Sequence, residues 1–281
     1  MRRRLYDSIF YLATAVCAFF TVAILYRLLS FILANGWPLL YSQMTGNATE
    51  TLLAPVALGQ MIVATLMLTL LTLVITLPFA ILAAIYLHEY AKNNFLAQLA
   101  RFCVQTLASI PSIVYGLFGM VVFVRLAGFG MSILAGATTL ATMLLPIIMT
   151  QTENALSQVP SAYKAGSAGL GATKFETIAT IILPTAAPSI IVGILLAVGR
   201  ILSESAALLF TVGTFVRMPK NPQTGLLSIF EAGTTLTVRA IIEFKEYGRV
   251  ESAAAIGIVT IGFLIILNLL SKLISWFFMK K

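Results

Sequence analysis

Residues 190–210 read IIVGILLAVGRILSESAALLF, an apolar run with Arg200 and Glu204 set into it. A charge at the centre of a bilayer costs roughly 2.5–3.5 kcal/mol on insertion scales. On a continuous helix Arg200 and Glu204 stand at i and i+4, share one face and can pair. The stretch therefore reads as a membrane-spanning helix with a polar surface deep in the membrane. Such surfaces usually line pathways.

Working outward, composition agrees. The chain has 281 residues, of which 59% are hydrophobic and 10% charged, with a mean hydropathy of +0.98. A soluble domain carries about 25% charged residues, so this is an integral membrane protein. The net charge of +8 does not point to nucleic acid, because the basic residues are not clustered with aromatics and several flank apolar runs. Cys17 and Cys103 lie in or beside apolar segments and read as small core residues, not as a disulfide or metal site.

A span needs about 20 apolar residues. Six candidates follow: Ile9 to Leu33, Leu58 to Leu87, Leu107 to Leu126, Met131 to Met149, Pro188 to Phe210 and Ser252 to Phe278. The first exceeds a signal-peptide core and has no convincing cleavage site, so an uncleaved helix is expected. Six crossings put both termini on one side. The Arg2–Arg4 cluster, Lys280 and Lys281 place that side in the cytoplasm, with the loops holding Lys92 and Arg101, and Lys164 and Lys174. The outer loop, 211–251, also holds Arg217, Lys220, Arg239, Lys245 and Arg249, so the bias is imperfect. The sequon Asn47-Ala48-Thr49 falls on the outer side and reads as incidental. The expectation is an all-α polytopic membrane protein, one membrane domain over 1–281, with a cytoplasmic loop at 151–185.

That cytoplasmic loop is rich in structure signals. Thr150-Gln151-Thr152-Glu153 and Thr173-Lys174-Phe175-Glu176 both match the capping-box pattern. Gly166, Gly169 and Gly171 punctuate the stretch between. The picture is short helix, turn, short helix. Tyr163 to Gly171 would be roughly 14 Å long if helical, a size suited to a cleft on a partner. An ordinary amphipathic connector fits the same periodicity.

The loop resembles the EAA loop of binding-protein-dependent ABC importer permeases, E-A-A-x₃-G-x₉-I-x-L-P. Gly171 is followed at the family spacing by Ile181-Ile182-Leu183-Pro184, and the E-A-A triplet falls on Ala165, Gly166 and Ser167. The Glu is missing. Three further stretches are similar to phosphate-transporter permeases: Ile85-Tyr86-Leu87-His88-Glu89-Tyr90-Ala91, Ser109 to Gly119, and Arg200 to Thr211. The last resembles RAxGETAPLLFT, with Ser203 for Gly, Ser205 for Thr and Ala207 for Pro. Its Leu-Leu-Phe-Thr ending favours the A-type subunits, the PstA family. Without that Pro the helix is expected to run straighter.

The resemblance implies a type I (MetI-like) permease fold, a plasma-membrane location and an ATPase-coupling loop through Ala165, Gly166, Ser167, Gly171, Ile181, Leu183 and Pro184. It implies a C-type (PstC-like) permease partner, a dimer of PstB-like ATPase subunits and an extracytoplasmic PstS-like phosphate-binding protein. No G-x-x-x-x-G-K-[ST] occurs, so no P-loop is present. The chain is expected to bind no cofactor and to be non-catalytic, with ATP hydrolysed by a partner.

Arg holds phosphate bidentately and stays charged at cellular pH. Arg200, Ser203, Glu204 and Ser205 are therefore the candidate substrate-pathway residues. Two readings of Arg200 stand: an ion pair with Glu204 that pins helices, or a guide for the anion. Glu204 could orient Arg200 or accept a hydrogen bond from a protonated phosphate. Arg27, Arg125 and Lys272 read as snorkelling anchors. His88, the single histidine, lacks the companions a metal site needs. The rivals are a permease for sulfate, molybdate or phosphonate, a secondary transporter, and a membrane scaffold.

Overall fold

The computed structural model describes residues 2–45, 55–91, 94–220 and 224–279. The sequon at 47–49, Lys92, Lys280 and Lys281 lie outside the described residues. Helices α1 (Arg2–Met44), α2 (Pro55–Ile85), α3 (Phe95–Ala108), α4 (Ser112–Gly119), α5 (Ile133–Ser157), α6 (Ser161–Gly169), α7 (Lys174–Thr177), α8 (Leu183–Ser203), α9 (Leu236–Lys245) and α10 (Val250–Met279) make up the chain. Among the described residues the only β pairing is an isolated bridge between Lys220 and Leu227. Among the described residues five helices are long and apolar enough to span a membrane, six when the bent α3–α4 pair counts as one span.

Helix α5 is the centre of the bundle. Its Leu140, Leu144 and Ile148 pack with Ala64 and Leu68 of α2. Lipid gives little hydrophobic drive between helices, so small residues that permit close approach matter. A Cβ on Gly119 would stand 2.1 Å from Thr139 Oγ1, and one on Gly136 2.1 Å from Val212 Cγ2. On α2, Thr65, Thr69, Thr72 and Thr76 each donate 2.7 Å bonds to the carbonyl four residues earlier. Polar atoms in this buried stripe are thus satisfied within the helix itself. Helix α1 packs on α10, with Gly36 against the backbone of Ala254. Its stretch from Phe10 to Val22 is exposed.

Several expectations are corrected. The third span is an elbow: α3 and α4 meet at 98°. Pro111 precedes α4 with φ −59° and ψ 140°, and Tyr115 Oη donates to the Leu107 carbonyl at 2.9 Å, a second donor beside Ile110 N at 3.1 Å. Thr150 to Glu153 do not cap a helix. They lie inside α5, where Thr150 and Thr152 donate to Pro146 O and Ile148 O, and Glu153 meets Arg101 Nε at 2.8 Å. Cys17 and Cys103 are free and exposed on helix faces that this chain leaves uncovered.

The loop between α8 and α9 folds back on the bundle. Glu231 O and Ile229 O accept from the first amides of α5, Ile133 N at 3.0 Å and Leu134 N at 2.8 Å. Part of the positive charge in residues 211–251 is internally paired. Arg239 lies 2.5 Å from the buried Glu243 carboxylate, Arg249 lies 3.9 Å from its other oxygen, and Arg217 meets Glu231 at 3.3 Å.

Candidate functional site

Two places collect the candidate residues. The first is the loop from α6 to α8. Gly171 has φ +82°, a left-handed conformation open to glycine at little cost. Ala172 N donates to Ser167 O at 3.2 Å and Gly171 N to Ala168 O at 3.0 Å, which is a Schellman close to α6. The second expected capping box is present. Thr173 N donates to Glu176 Oε2 at 2.7 Å and Glu176 N to Thr173 Oγ1 at 3.3 Å. Ser167 and Thr177 hydroxyls meet at 2.8 Å in a buried contact, tying α6 to α7. Ala165 and Gly166 are exposed. Leu170 is 90% and Phe175 73% exposed, beside the half-exposed Tyr163. The loop is a small rigid hairpin presenting apolar side chains outward.

Inward, the hairpin grips the end of α2. That end is a π turn, Tyr86–Tyr90, with Ala91 N bonded to Tyr86 O at 3.1 Å. Glu89 is 7% exposed, and its Oε1 is paired with the Lys164 ammonium of α6. Lys174 Nζ donates to Glu89 O at 2.5 Å and sits 4.5 Å over the Tyr90 ring. His88 Nε2 lies 3.6 Å from the same Glu89 oxygen. Ile181, Leu183 and Pro184 fall at a second π turn, Ile178–Ile182, and the start of α8.

The second place is the far end of α8, and here the expected pair fails. The helix stops at Ser203, and Glu204 is extended, with φ −77° and ψ 132°. Arg200 and Glu204 are therefore not on one helical face. Among the described residues they form no ion pair. Glu204 is 8% exposed, and its Oε1 accepts from Ala206 N at 3.1 Å and Ala207 N at 3.3 Å. The carboxylate caps its own next turn, Leu208–Phe210. Thr237 of α9 donates to Glu204 O at 3.0 Å. The helix breaks although Ala207 stands where the family pattern has Pro. Arg200 occupies the last turn of α8, where a cation complements the helix dipole. With Val192, Leu196 and Ser203 it forms a stripe that the rest of the chain leaves exposed. Ser205 is half-buried, and its carbonyl accepts from Leu209 N at 3.0 Å.

The family model described as binding-protein-dependent transport system inner membrane component matches residues 76–276. The chain belongs to this family. It is 34% identical over 262 residues to a probable ABC transporter permease protein, YqgI, of Bacillus subtilis, covering 91% of this chain and 89% of that one. It is 34% identical over 221 residues to the probable phosphate transport system permease protein PstA of Methanocaldococcus jannaschii, covering 78% of each. The fold is shared with a chain of a bacterial ABC transporter involved in the import of the acidic polysaccharide alginate. That match has 18% identity and a TM-score of 0.62, over 97% of this chain and 98% of that one. A chain of the MetNI methionine ABC transporter matches at 17% identity and TM-score 0.59, over 79% and 94%.

In this inner membrane component, sequence reasoning missed Glu89, Lys164, Lys174 and Thr177 as loop-organising residues. The lysines were visible only as topology markers. The signal that could have found Glu89 was an acid in an otherwise apolar helix end, 75 residues from its cation. Among the described residues no group of three metal-ligating side chains converges. Arg27, Arg125 and Lys272 are exposed, consistent with their reading as anchors.

Proposed function

We propose that this multi-pass membrane protein is the A-type permease subunit of an ATP-driven inorganic phosphate importer. The observation that carries the substrate is the likeness, over most of the chain, to relatives named phosphate permeases. The preformed hairpin with Leu170 and Phe175 outward supports the coupling role. ATP is hydrolysed by a separate PstB-like dimer, which receives that hairpin. A PstC-like chain completes the path, and a PstS-like protein delivers phosphate. The hairpin and both termini face the cytoplasm. A cysteine placed at Arg217 should then label from outside and one placed at Tyr163 should not, and the reverse pattern overturns this orientation.

Arg200 and Ser203 serve the anion from the uncovered stripe of α8, which faces the second permease across the path. Arg200 supplies charge and a planar pair of donors. Glu204 and Ser205 shape the break that ends α8, and Glu204 does not steer Arg200. Arg200→Gln in the assembled complex should lower phosphate uptake roughly ten- to a hundredfold, the scale of losing hydrogen bonds to a charged group. A complex that assembles and transports at the wild-type rate would falsify the assignment. Competition by sulfate or molybdate equal to that by phosphate would move the substrate to another oxyanion.

A further inference from the structure

The coupling hairpin has two covalent routes into the bundle, back to α5 through residues 158–160 and on to α8 through the π turn Ile178–Ile182. The Glu89 contacts add a third, to α2. We propose that Glu89 is a positioning residue that fastens the hairpin to α2, so that displacement of the hairpin by the ATPase is delivered to α2 and, through it, to α5.

Four observations carry this. Contacts from both arms of the hairpin, Lys164 on α6 and Lys174 on α7, converge on adjacent residues of one turn. The arms are themselves locked together by the Ser167–Thr177 contact, the Schellman close and the capping box, so the hairpin moves as one piece. The connection is built between two π turns, 86–90 and 178–182, and such insertions cluster at functional positions. Finally, a cavity of about 240 Å³ bounded by Glu89, Lys164, Lys174, Thr177 and Ile178 lies between hairpin and turn. Apolar packing onto α2 comes only beyond α7, from Ile178 and Ile182 against Ile81 and Ile85, so for α6 and α7 the Lys164 and Lys174 contacts are the polar part of the join. Beyond the latch, α2 makes the most extensive helix contact of the chain, against α5.

The family pattern places Glu at the position of Ala165, and here Glu89 supplies a carboxylate to the neighbouring Lys164 from outside the hairpin.

The test uses the complete reconstituted complex and rests on the phosphate reading only for the uptake assay. Phosphate taken into proteoliposomes and ATP hydrolysed are measured together. Glu89→Gln and Lys164→Gln should each leave the ATPase subunit bound and basal hydrolysis intact. Uptake per ATP should fall roughly two- to thirtyfold, the range of mutations along a coupling route. The double variant should be no worse than either single one, because both remove the same contact. The exchange Glu89→Lys/Lys164→Glu should recover most of the ratio. Singles with a wild-type ratio overturn the proposal. So do additive losses in the double variant, or uptake that falls only in step with loss of the ATPase subunit. A wild-type complex that does not import phosphate overturns the phosphate reading alone. The ratio is then measured on the anion whose binding protein stimulates hydrolysis.

Discussion

Glu89 and Glu204 are both buried glutamates at helix ends, one against α6 and α7 and the other just past the end of α8. They use the same functional group differently. Glu204 takes two backbone amides of its own next turn. Glu89 takes an ammonium from an element 75 residues away. The first contact is local and needs only an acceptor oxygen. The second is tertiary and needs a charge. A buried acid near a predicted pathway is thus not evidence of a pathway role until its partners are known.

Three substitutions test the contrast. The largest effect is expected for Glu204→Ala. It leaves two amides without their acceptor, at about 1–3 kcal/mol for each one buried, and detergent-solubilised protein should unfold at clearly lower temperature. Unchanged stability would mean that the cap is dispensable. Next comes Gly171→Ala, which forces a Cβ into a left-handed position at about 1–2 kcal/mol. Nothing lies within 4 Å of that Cβ, so the cost is conformational. Limited proteolysis of the hairpin should accelerate while the span helices stay protected, and an unaltered cleavage rate would argue against a rigid hairpin. The smallest effect is expected for Glu204→Gln, because the amide oxygen can still accept both bonds. Stability should change by about 1 kcal/mol or less, the difference between a charged and a neutral acceptor. A large loss there, comparable to that of Glu204→Ala, would show that the charge itself is required and erase the distinction from Glu89.

The helices were legible because apolar runs of membrane length have few alternatives. The capping box at Thr173 was legible because its partners are three residues apart. The same pattern at Thr150 misled, since within an established helix Thr hydroxyls turn back to the carbonyl four residues earlier. The elbow was within reach: Pro111 restrains the residue before it, but the apolar run continued across it. The end of α8 was not within reach. No Gly or Pro marks Glu204, and the break is held partly by Thr237, 33 residues on. The Glu89 latch was hidden for the same reason, because both partners look like ordinary charges flanking a span.

The bonds that join the loop between α8 and α9 to α5 also bear on biosynthesis. Ile133 and Leu134 donate to carbonyls of Glu231 and Ile229, which lie about 100 residues later in the chain. At roughly 5–20 residues per second, the first turn of α5 waits on the order of 5–20 s for its acceptors to be synthesised. During that interval its amides face water at the membrane surface or contacts within the insertion machinery. Ribosome-arrested chains ending before Glu231 should label readily at a cysteine placed at Ser132, and full-length chains should not. The N-terminal end of the central helix is therefore among the last parts of the molecule to be sealed, although its residues are made in the first half of translation.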